Sequence, residues 1–453
     1  MATTDGENLR AVFKAYDVRG TVPDQIDEVL AERVGAAFVA VTGGEQIVVG
    51  HDMRPSSPGM AQAFARGANR AGADAVLIGL CSTDGLYFAS GHLGLPGVMV
   101  TASHNPAQYN GIKMCRAEAV PIGLDTGLAD IRDRVEADDV PSADRPGTTT
   151  EQDLLDAYAA YLLTLAPVAG RRLRVVVDAG NGMAGLTAPA VLGKADLDVV
   201  EMYYELDGTF PNHEANPIDP GTLRDLQARV REERADIGLA FDGDADRCFL
   251  VDERGELVDP STLTGLIATR ELAKRPGSAV IHNLITSRAV PEIVIEHGGT
   301  PVRTRVGHSF IKATMAESDA IFGGEHSGHF YFRDFWRADS GMLAALHALA
   351  TLAETDRPLS EVLAPYARYV ASGEINSTVE DQGAVLAELE GAWAASATEI
   401  DFLDGMTVTF PGGWFNVRAS NTEPLLRLNV EGRDATIMTD VRDRVLAVIR
   451  REP

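Results

Sequence analysis

The chain has 453 residues, 45% of them hydrophobic and 23% charged, with a formal net charge of −26. These values exclude a disordered, collagen-like or coiled-coil chain and set an expectation of about three domains, give or take one. A field of that sign repels nucleic acid and anionic lipid, so neither is expected as a partner, and a phosphorylated ligand would need a local cluster of cations and backbone N–H groups.

Cys81, Cys115 and Cys248 are far apart and none sits in a Cys-x-x-Cys pair, so they read as reduced thiols. The N-terminus lacks a basic-then-apolar leader, and no uncharged apolar run is long enough to span a bilayer. The expected location is cytoplasmic, with no membrane partner.

In chain order, Phe13-Lys14-Ala15-Tyr16-Asp17-Val18-Arg19-Gly20 comes first. It places an aromatic and an arginine ahead of the first domain, and it reads equally as a turn ending in glycine. Three strand–helix–strand–helix–strand units follow. Their predicted strands are 47–50, 75–78 and 97–100, then 175–178, 197–200 and 237–241, then 279–282, 301–304 and 319–322. Continuous apolar runs of this kind suit sheets buried on both faces by helices. The stretch 136–150, rich in Asp, Pro, Ser, Gly and Thr, reads as a linker. After 368–373 the pattern changes to a helix near 383–394 among strands 406–410, 414–418 and 425–430. The expected fold class is α/β: three topologically similar domains with parallel or mixed sheets (1–145, 146–255, 256–368) and a smaller C-terminal α+β domain (369–453), around a central cleft.

Ligands of open parallel sheets bind beyond the carboxyl ends of the strands. The third strand of each unit runs into Thr101-Ala102-Ser103-His104-Asn105-Pro106, Asp242-Gly243-Asp244-Ala245-Asp246-Arg247 and Gly324-Glu325-His326-Ser327-Gly328-His329. A fourth polar loop, Arg418-Ala419-Ser420-Asn421-Thr422-Glu423-Pro424, lies in the last domain. Asp242, Asp244 and Asp246 alternate with small residues, so an extended backbone puts three carboxylates on one face, where a hard divalent cation relieves their repulsion. A solvated acidic turn is the bland alternative. An EF-hand would place Glu253 at its twelfth position, but its sixth is Arg247 where glycine is required.

Ser103 follows a strand, with His104 beside it and Lys113 nearby; most such serines cap helices or turns, and no Gly-x-Ser-x-Gly elbow is present. Opposite a bound cation, its oxygen could carry a phosphoryl group whose charge Arg247 helps neutralise. In the fourth loop, Arg418, Ser420, Asn421, Thr422 and Arg427 suit phosphate capture, or simply a polar hairpin. Glu325 and Ser327 suit hydroxyl recognition, since a carboxylate accepts from a diol and serine can donate or accept, and His329 and His308 are candidate imidazoles.

Together these motifs resemble the α-D-phosphohexomutase superfamily, most closely its bacterial phosphomannomutase/phosphoglucomutase branch, along essentially the whole chain. The resemblance implies that Ser103 is the phosphoryl carrier and that Ser103, Asp242, Asp244 and Asp246 hold Mg²⁺. It implies sugar contacts from Glu325 and Ser327, and capture of the non-reacting phosphate by Arg418, Ser420, Asn421 and Thr422, with Arg427 adding charge. Tyr16 and His308 match substrate-contact segments. Arg19, His104, Lys113, Arg247 and His329 are the implied catalytic group: Arg247 neutralises charge, and proton transfer and charge stabilisation are unassigned among the other four.

The implied reaction interconverts hexose 1-phosphate and hexose 6-phosphate through a bound hexose 1,6-bisphosphate, which also serves as activator. Asn421 favours the mannose/glucose branch over glucosamine phosphate. One departure is the absence of lysine from Asn283-Leu284-Ile285-Thr286-Ser287-Arg288, where Arg288 or Lys312 is the candidate replacement. The rival readings are a Mg²⁺-dependent phosphatase with an aspartate nucleophile and a non-catalytic sugar-phosphate binder. A monomer or weak homodimer is expected.

Overall fold

The apolar runs become strands because both of their faces are covered. A computed structural model describes residues 6–419 and 425–451. In it Gln46–His51, Leu173–Asp178 and Ala279–Asn283 are each the middle strand of a parallel trio. The second strand of each unit, Asp74–Leu80, Leu197–Met202 or Thr300–Thr304, lies on one side. The third, Gly97–Val100, Ile237–Phe241 or Phe322–Gly324, lies on the other. The order third–first–second thus recurs three times, as the repeat in the sequence predicts. Every residue of Gly97–Val100 and Ile237–Phe241 is buried, the signature of strands covered on both faces.

Contacts divide the chain into two units, one holding residues up to Pro260 with Ser327–Val362 and the other Ser261–His326 with the residues from Leu363 on. In the first unit, Tyr109–Cys115 pairs antiparallel with Gly97–Val100, and Asp17–Thr21 pairs in turn with Tyr109–Cys115. The segment 13–20, open to a turn reading in the sequence, therefore feeds an edge strand, with Arg19 opposite Gly111 and Asp17 opposite Lys113. Helices Glu28–Thr42 and Ser57–Arg70 pack Phe38 and Phe64 into the core with Val49, Val98 and Ile112. They come so close that a Cβ on Gly67 would lie 1.8 Å from the Glu32 carbonyl oxygen. In the second sheet of this unit, Cys248–Asp252 runs antiparallel to Ile237–Phe241.

In the second unit the C-terminal sheet is antiparallel, in the order Val370–Thr378, Leu425–Gly432, Gly413–Ala419, Met406–Phe410, Glu399–Asp401. Helices Gln382–Trp393 and Ala435–Ile449 supply Leu389, Trp393, Val441 and Val445 to a core with Val408, Phe415 and Leu428. This is the smaller α+β domain expected from the sequence.

One strand differs from expectation. The run 319–322 does not form a strand from its start: Asp319, at φ 48°, ends helix His308–Ser318, and the strand is Phe322–Gly324. Apolar character fixed the strand's neighbourhood, whereas the left-handed cap decided where it could start. The three cysteines are buried and none of them forms a disulfide among the described residues, and no described helix is long and apolar enough to cross a membrane.

Candidate active site

In the first unit the loops after Gly97–Val100 and Ile237–Phe241 meet. Ser103 adopts a left-handed backbone, φ 51°, and its N–H donates to Thr101 Oγ1 at 2.9 Å. A Cβ on Gly243 would lie 2.4 Å from the Ser103 carbonyl oxygen, so the acidic loop needs glycine where the two backbones touch. Ser103 Oγ donates to Asp242 Oδ2 at 2.9 Å and stands 3.2 Å from His104 Nδ1. Ser103 is 2% exposed, and Asp242, Asp244 and Asp246 are equally buried.

The surrounding charges sort the carboxylates. Lys113 Nζ donates to Asp244 Oδ2 and Asp246 Oδ2, each at 2.7 Å. Thr83, at the first turn of helix Thr83–Leu93, donates its hydroxyl to Asp244 Oδ2 at 2.6 Å and its N–H to the Asp244 carbonyl. Burial, then Asp246 and Asp244, push the Asp242 carboxyl well above the usual range. Burial and Asp246 act the same way on Asp244, but the Lys113 ammonium outweighs them and holds it below. For Asp246, burial is again overcome, by Lys113 and then His329, down to about 2. Burial disfavours the Lys113 cation, yet its two aspartates raise it above the ordinary lysine value.

Arg247 ties the site together. Its N–H donates to Asp242 Oδ1 at 3.2 Å, its Nε to His329 Nε2 at 3.2 Å, and its Nη2 lies 2.8 Å from His104 Nδ1. Arg247 first, then burial, then Arg19, depress the His104 imidazole to about 2. His329 Nδ1 meets Ser327 Oγ at 2.9 Å, and its Nε2 is 3.6 Å from Asp246 Oδ1. Arg19 donates to Asn105 Oδ1 at 2.6 Å and pairs with Asp17. Tyr16 is half-buried immediately before that strand.

The donor set fits a hard divalent cation. Ligand atoms of Asp242, Asp244 and Asp246 all lie within 4.8 Å of one another. Asp244 Oδ1 and Asp246 Oδ1 are buried without a hydrogen-bond partner, a costly arrangement that a cation would relieve.

In the second unit, Glu325 is 2% exposed and its Oε1 accepts from Asn283 Nδ2 and Gly307 N–H, both at 3.3 Å. Arg418 and Arg427 stand opposite each other on adjacent strands, and both reach Glu374, at 2.9 and 3.4 Å. Lys312 is buried on helix His308–Ser318, while Arg288 pairs with Glu292 and lies over the Tyr369 ring. Ser420, Asn421 and Thr422 lie outside the described residues, as does the His308 side chain.

The structure thus brings Ser103, His104, Lys113, Asp242, Asp244, Asp246, Arg247 and His329 into one constellation, with Arg19 joined through Asn105. Sequence reasoning missed Thr83 and Glu374. Thr83 follows the second strand of its unit in Cys81-Ser82-Thr83, a helix-cap pattern whose second partner no spacing announces. Glu374 sits in the strand Val370–Thr378 and becomes relevant only through its pairing with Leu425–Gly432.

Four family models match the sequence. They are phosphoglucomutase/phosphomannomutase alpha/beta/alpha domain I over residues 10–141, domain II over 155–255, domain III over 259–369 and the C-terminal domain over 374–448. The chain belongs to the phosphoglucomutase/phosphomannomutase family. It is 41% identical over 449 residues to a Xanthomonas campestris protein described as phosphohexose mutases, covering 97% of this chain and 99% of that one. It is 40% identical over 450 residues to a phosphomannomutase of Escherichia coli, with the same coverage. A crystal structure of a phosphoglucomutase/phosphomannomutase family protein from Burkholderia thailandensis superposes with a TM-score of 0.90 at 32% identity, covering 99% of this chain and 98% of that one. The chain is accordingly a phosphohexomutase, an isomerase.

Proposed function

We propose that the chain interconverts hexose 1-phosphate and hexose 6-phosphate, with mannose or glucose as the sugar, through a phosphoserine at Ser103 and a bound hexose 1,6-bisphosphate. The observation that carries this reading is the Ser103 hydroxyl 2.9 Å from Asp242, inside a buried cluster of three carboxylates. The phosphomannomutase names of relatives 40% identical over nearly the whole chain support the sugar class.

In the first half-reaction the bond between phosphorus and Ser103 Oγ breaks as a bond forms to the free sugar hydroxyl, whose proton passes to a base. In the second, the other phosphate of the reoriented bisphosphate returns to Ser103, and the departing sugar oxygen recovers a proton. Lys113 and Arg247 supply positive charge beside the transferring group. Arg19 is committed to Asp17 and Asn105, and the depressed His104 imidazole is engaged by Arg247. His329, whose two ring nitrogens meet Ser327 Oγ and Arg247 Nε, is the proposed proton carrier. Asp242, Asp244, Asp246 and the Ser103 oxygen would hold Mg²⁺, which when bound neutralises charge on the phosphoryl oxygens.

Glu325 and Ser327 are the proposed contacts to sugar O3 and O4, away from C2, where mannose and glucose differ. Arg418, Ser420, Asn421 and Thr422, helped by Arg427, are proposed to hold the phosphate that is not reacting, and Tyr16 and His308 to line the substrate. The proposed domains are 1–145, 146–255, 256–368 and 369–453, in a cytoplasmic monomer or weak homodimer.

The test is turnover of mannose 1-phosphate, glucose 1-phosphate and glucosamine 1-phosphate with Mg²⁺ and a trace of hexose 1,6-bisphosphate. Conversion of the first two to their 6-phosphates, faster than the third, is expected. Release of inorganic phosphate at catalytic rates would instead identify a phosphatase.

A further inference from the structure

The loop that carries Ser103 is held from behind by one side chain. Between strand Gln46–His51 and helix Ser57–Arg70 the chain reads Asp52-Met53-Arg54-Pro55-Ser56. Arg54 is 1% exposed. A guanidinium has five N–H donors in a fixed planar fork, and here every one is used. Nη2 donates to the carbonyls of Ser103 at 2.9 Å and Asn105 at 2.6 Å. Nη1 donates to those of Pro106 at 3.0 Å and Tyr109 at 2.9 Å. Nε donates to Asp52 Oδ2 at 3.2 Å.

The fork is itself fixed. Asp52 is fully buried, and its Oδ1 accepts from the Arg54 N–H at 3.0 Å and from Ser57 Oγ. Asn110 Nδ2 closes the ring by donating to Ser57 Oγ at 2.9 Å. The Phe210 ring covers the guanidinium at 5.1 Å.

We infer that Arg54 is a positioning residue for phosphoryl transfer, whose fork sets the path of loop 103–109 and so aims the Ser103 hydroxyl at Asp242. This rests on the reading of Ser103 as the phosphoryl carrier. Four carbonyls of the loop converge on this one centre and take donors from it, the Pro106 carbonyl also accepting the Tyr109 N–H at 3.0 Å. Ser103 must also be kept at φ 51°, which a residue with a Cβ adopts only when its surroundings impose it. Arg54 binds the carbonyl of Ser103 itself, the residue whose hydroxyl meets Asp242. Lysine cannot replace it: an ammonium has three donors at a single point, and four carbonyls along a curve are beyond its reach.

The test compares wild type, Arg54→Lys and Arg54→Ala as full chains, with the sugar phosphate that wild type converts fastest. Circular dichroism checks folding, and intact mass reports phosphate on Ser103. In both variants kcat should fall by roughly a hundredfold, with KM changed by no more than about threefold, and Ser103 should acquire phosphate slowly. Added guanidinium ion should restore part of the kcat of Arg54→Ala, while methylammonium should not. If Arg54→Ala fails to fold, the kcat-against-KM split of Arg54→Lys decides alone. A folded variant with kcat within about threefold of wild type overturns the inference. So does a loss that guanidinium cannot rescue and that falls on KM as much as on kcat. Active wild type that never bears phosphate on Ser103 overturns the carrier reading itself, whereas a phosphorylated wild type beside a fully active Arg54→Lys overturns only the role of Arg54.

Discussion

Asp242 and Asp244 occupy one buried loop and carry the same side chain, yet their surroundings pull them apart. Lys113 and Thr83 hold Asp244 ionised, while Asp242 accepts from Ser103 and Arg247 amid like charges. A cation at the trio would draw on both. Asp244→Asn should therefore weaken Mg²⁺ binding by about tenfold or more, read from the Mg²⁺ dependence of turnover and of melting temperature; an unchanged dependence on both contradicts the metal assignment. Ser103→Ala should lower kcat by at least about a thousandfold and leave hexose-phosphate binding intact by calorimetry. The paired arginines give a two-signed prediction. Arg418→Ala should raise KM by about tenfold, whereas Glu374→Gln, which frees both guanidiniums from a partly exposed carboxylate, should lower it by about threefold at most. KM moving the same way in both variants would remove Glu374 from that role.

At the scale of elements, strand Ala279–Asn283 carries a buried imidazole whose cost depends on pH. His282 is 6% exposed and bonds the Asn283 carbonyl through Nδ1. Burial, and secondarily Arg303, depress it from 6.5 to about 4. The unfolded chain therefore takes up this proton first as pH falls. The contribution to stability is complete above pH 6.5 and is lost on acidification toward pH 4, up to a few kcal/mol, on the order of 1.4 kcal/mol per unit. Urea unfolding at successive pH values should show a shallower acid limb for His282→Gln than for wild type, and equal slopes would contradict the assignment. The strands around such positions were legible because period and apolar runs are local properties: 406–410 is predicted and observed as Met406–Phe410. Phe322–Gly324 was displaced because a left-handed Asp319 is not visible in hydropathy. Asp17–Thr21 was open to a turn reading because its burial comes from pairing with Tyr109–Cys115, far along the chain.

At the scale of the molecule, the threefold recurrence of one strand order was readable because each copy writes the same apolar run, turn and polar loop. The acidic trio and Ser103 were readable for the same reason, since each stands at the carboxyl end of a third strand. Thr83, Arg54 and Glu374 were not, because each acts through partners that only folding brings near and carries no spacing of its own. Net charge set an expectation of local cations for a phosphorylated ligand; Lys113, Arg247 and Arg19 stand at the proposed site, each paired with aspartates. The central claim is that Ser103 carries the phosphoryl group between two positions of one sugar. Rapid mixing of the Mg²⁺-loaded enzyme with hexose 1,6-bisphosphate, followed by acid quench and peptide mass mapping, tests it most directly. Phosphate should appear on Ser103 and leave again to added hexose 6-phosphate, both at least as fast as turnover. Full turnover with Ser103 never phosphorylated, or with phosphate on it that does not transfer, would contradict the account.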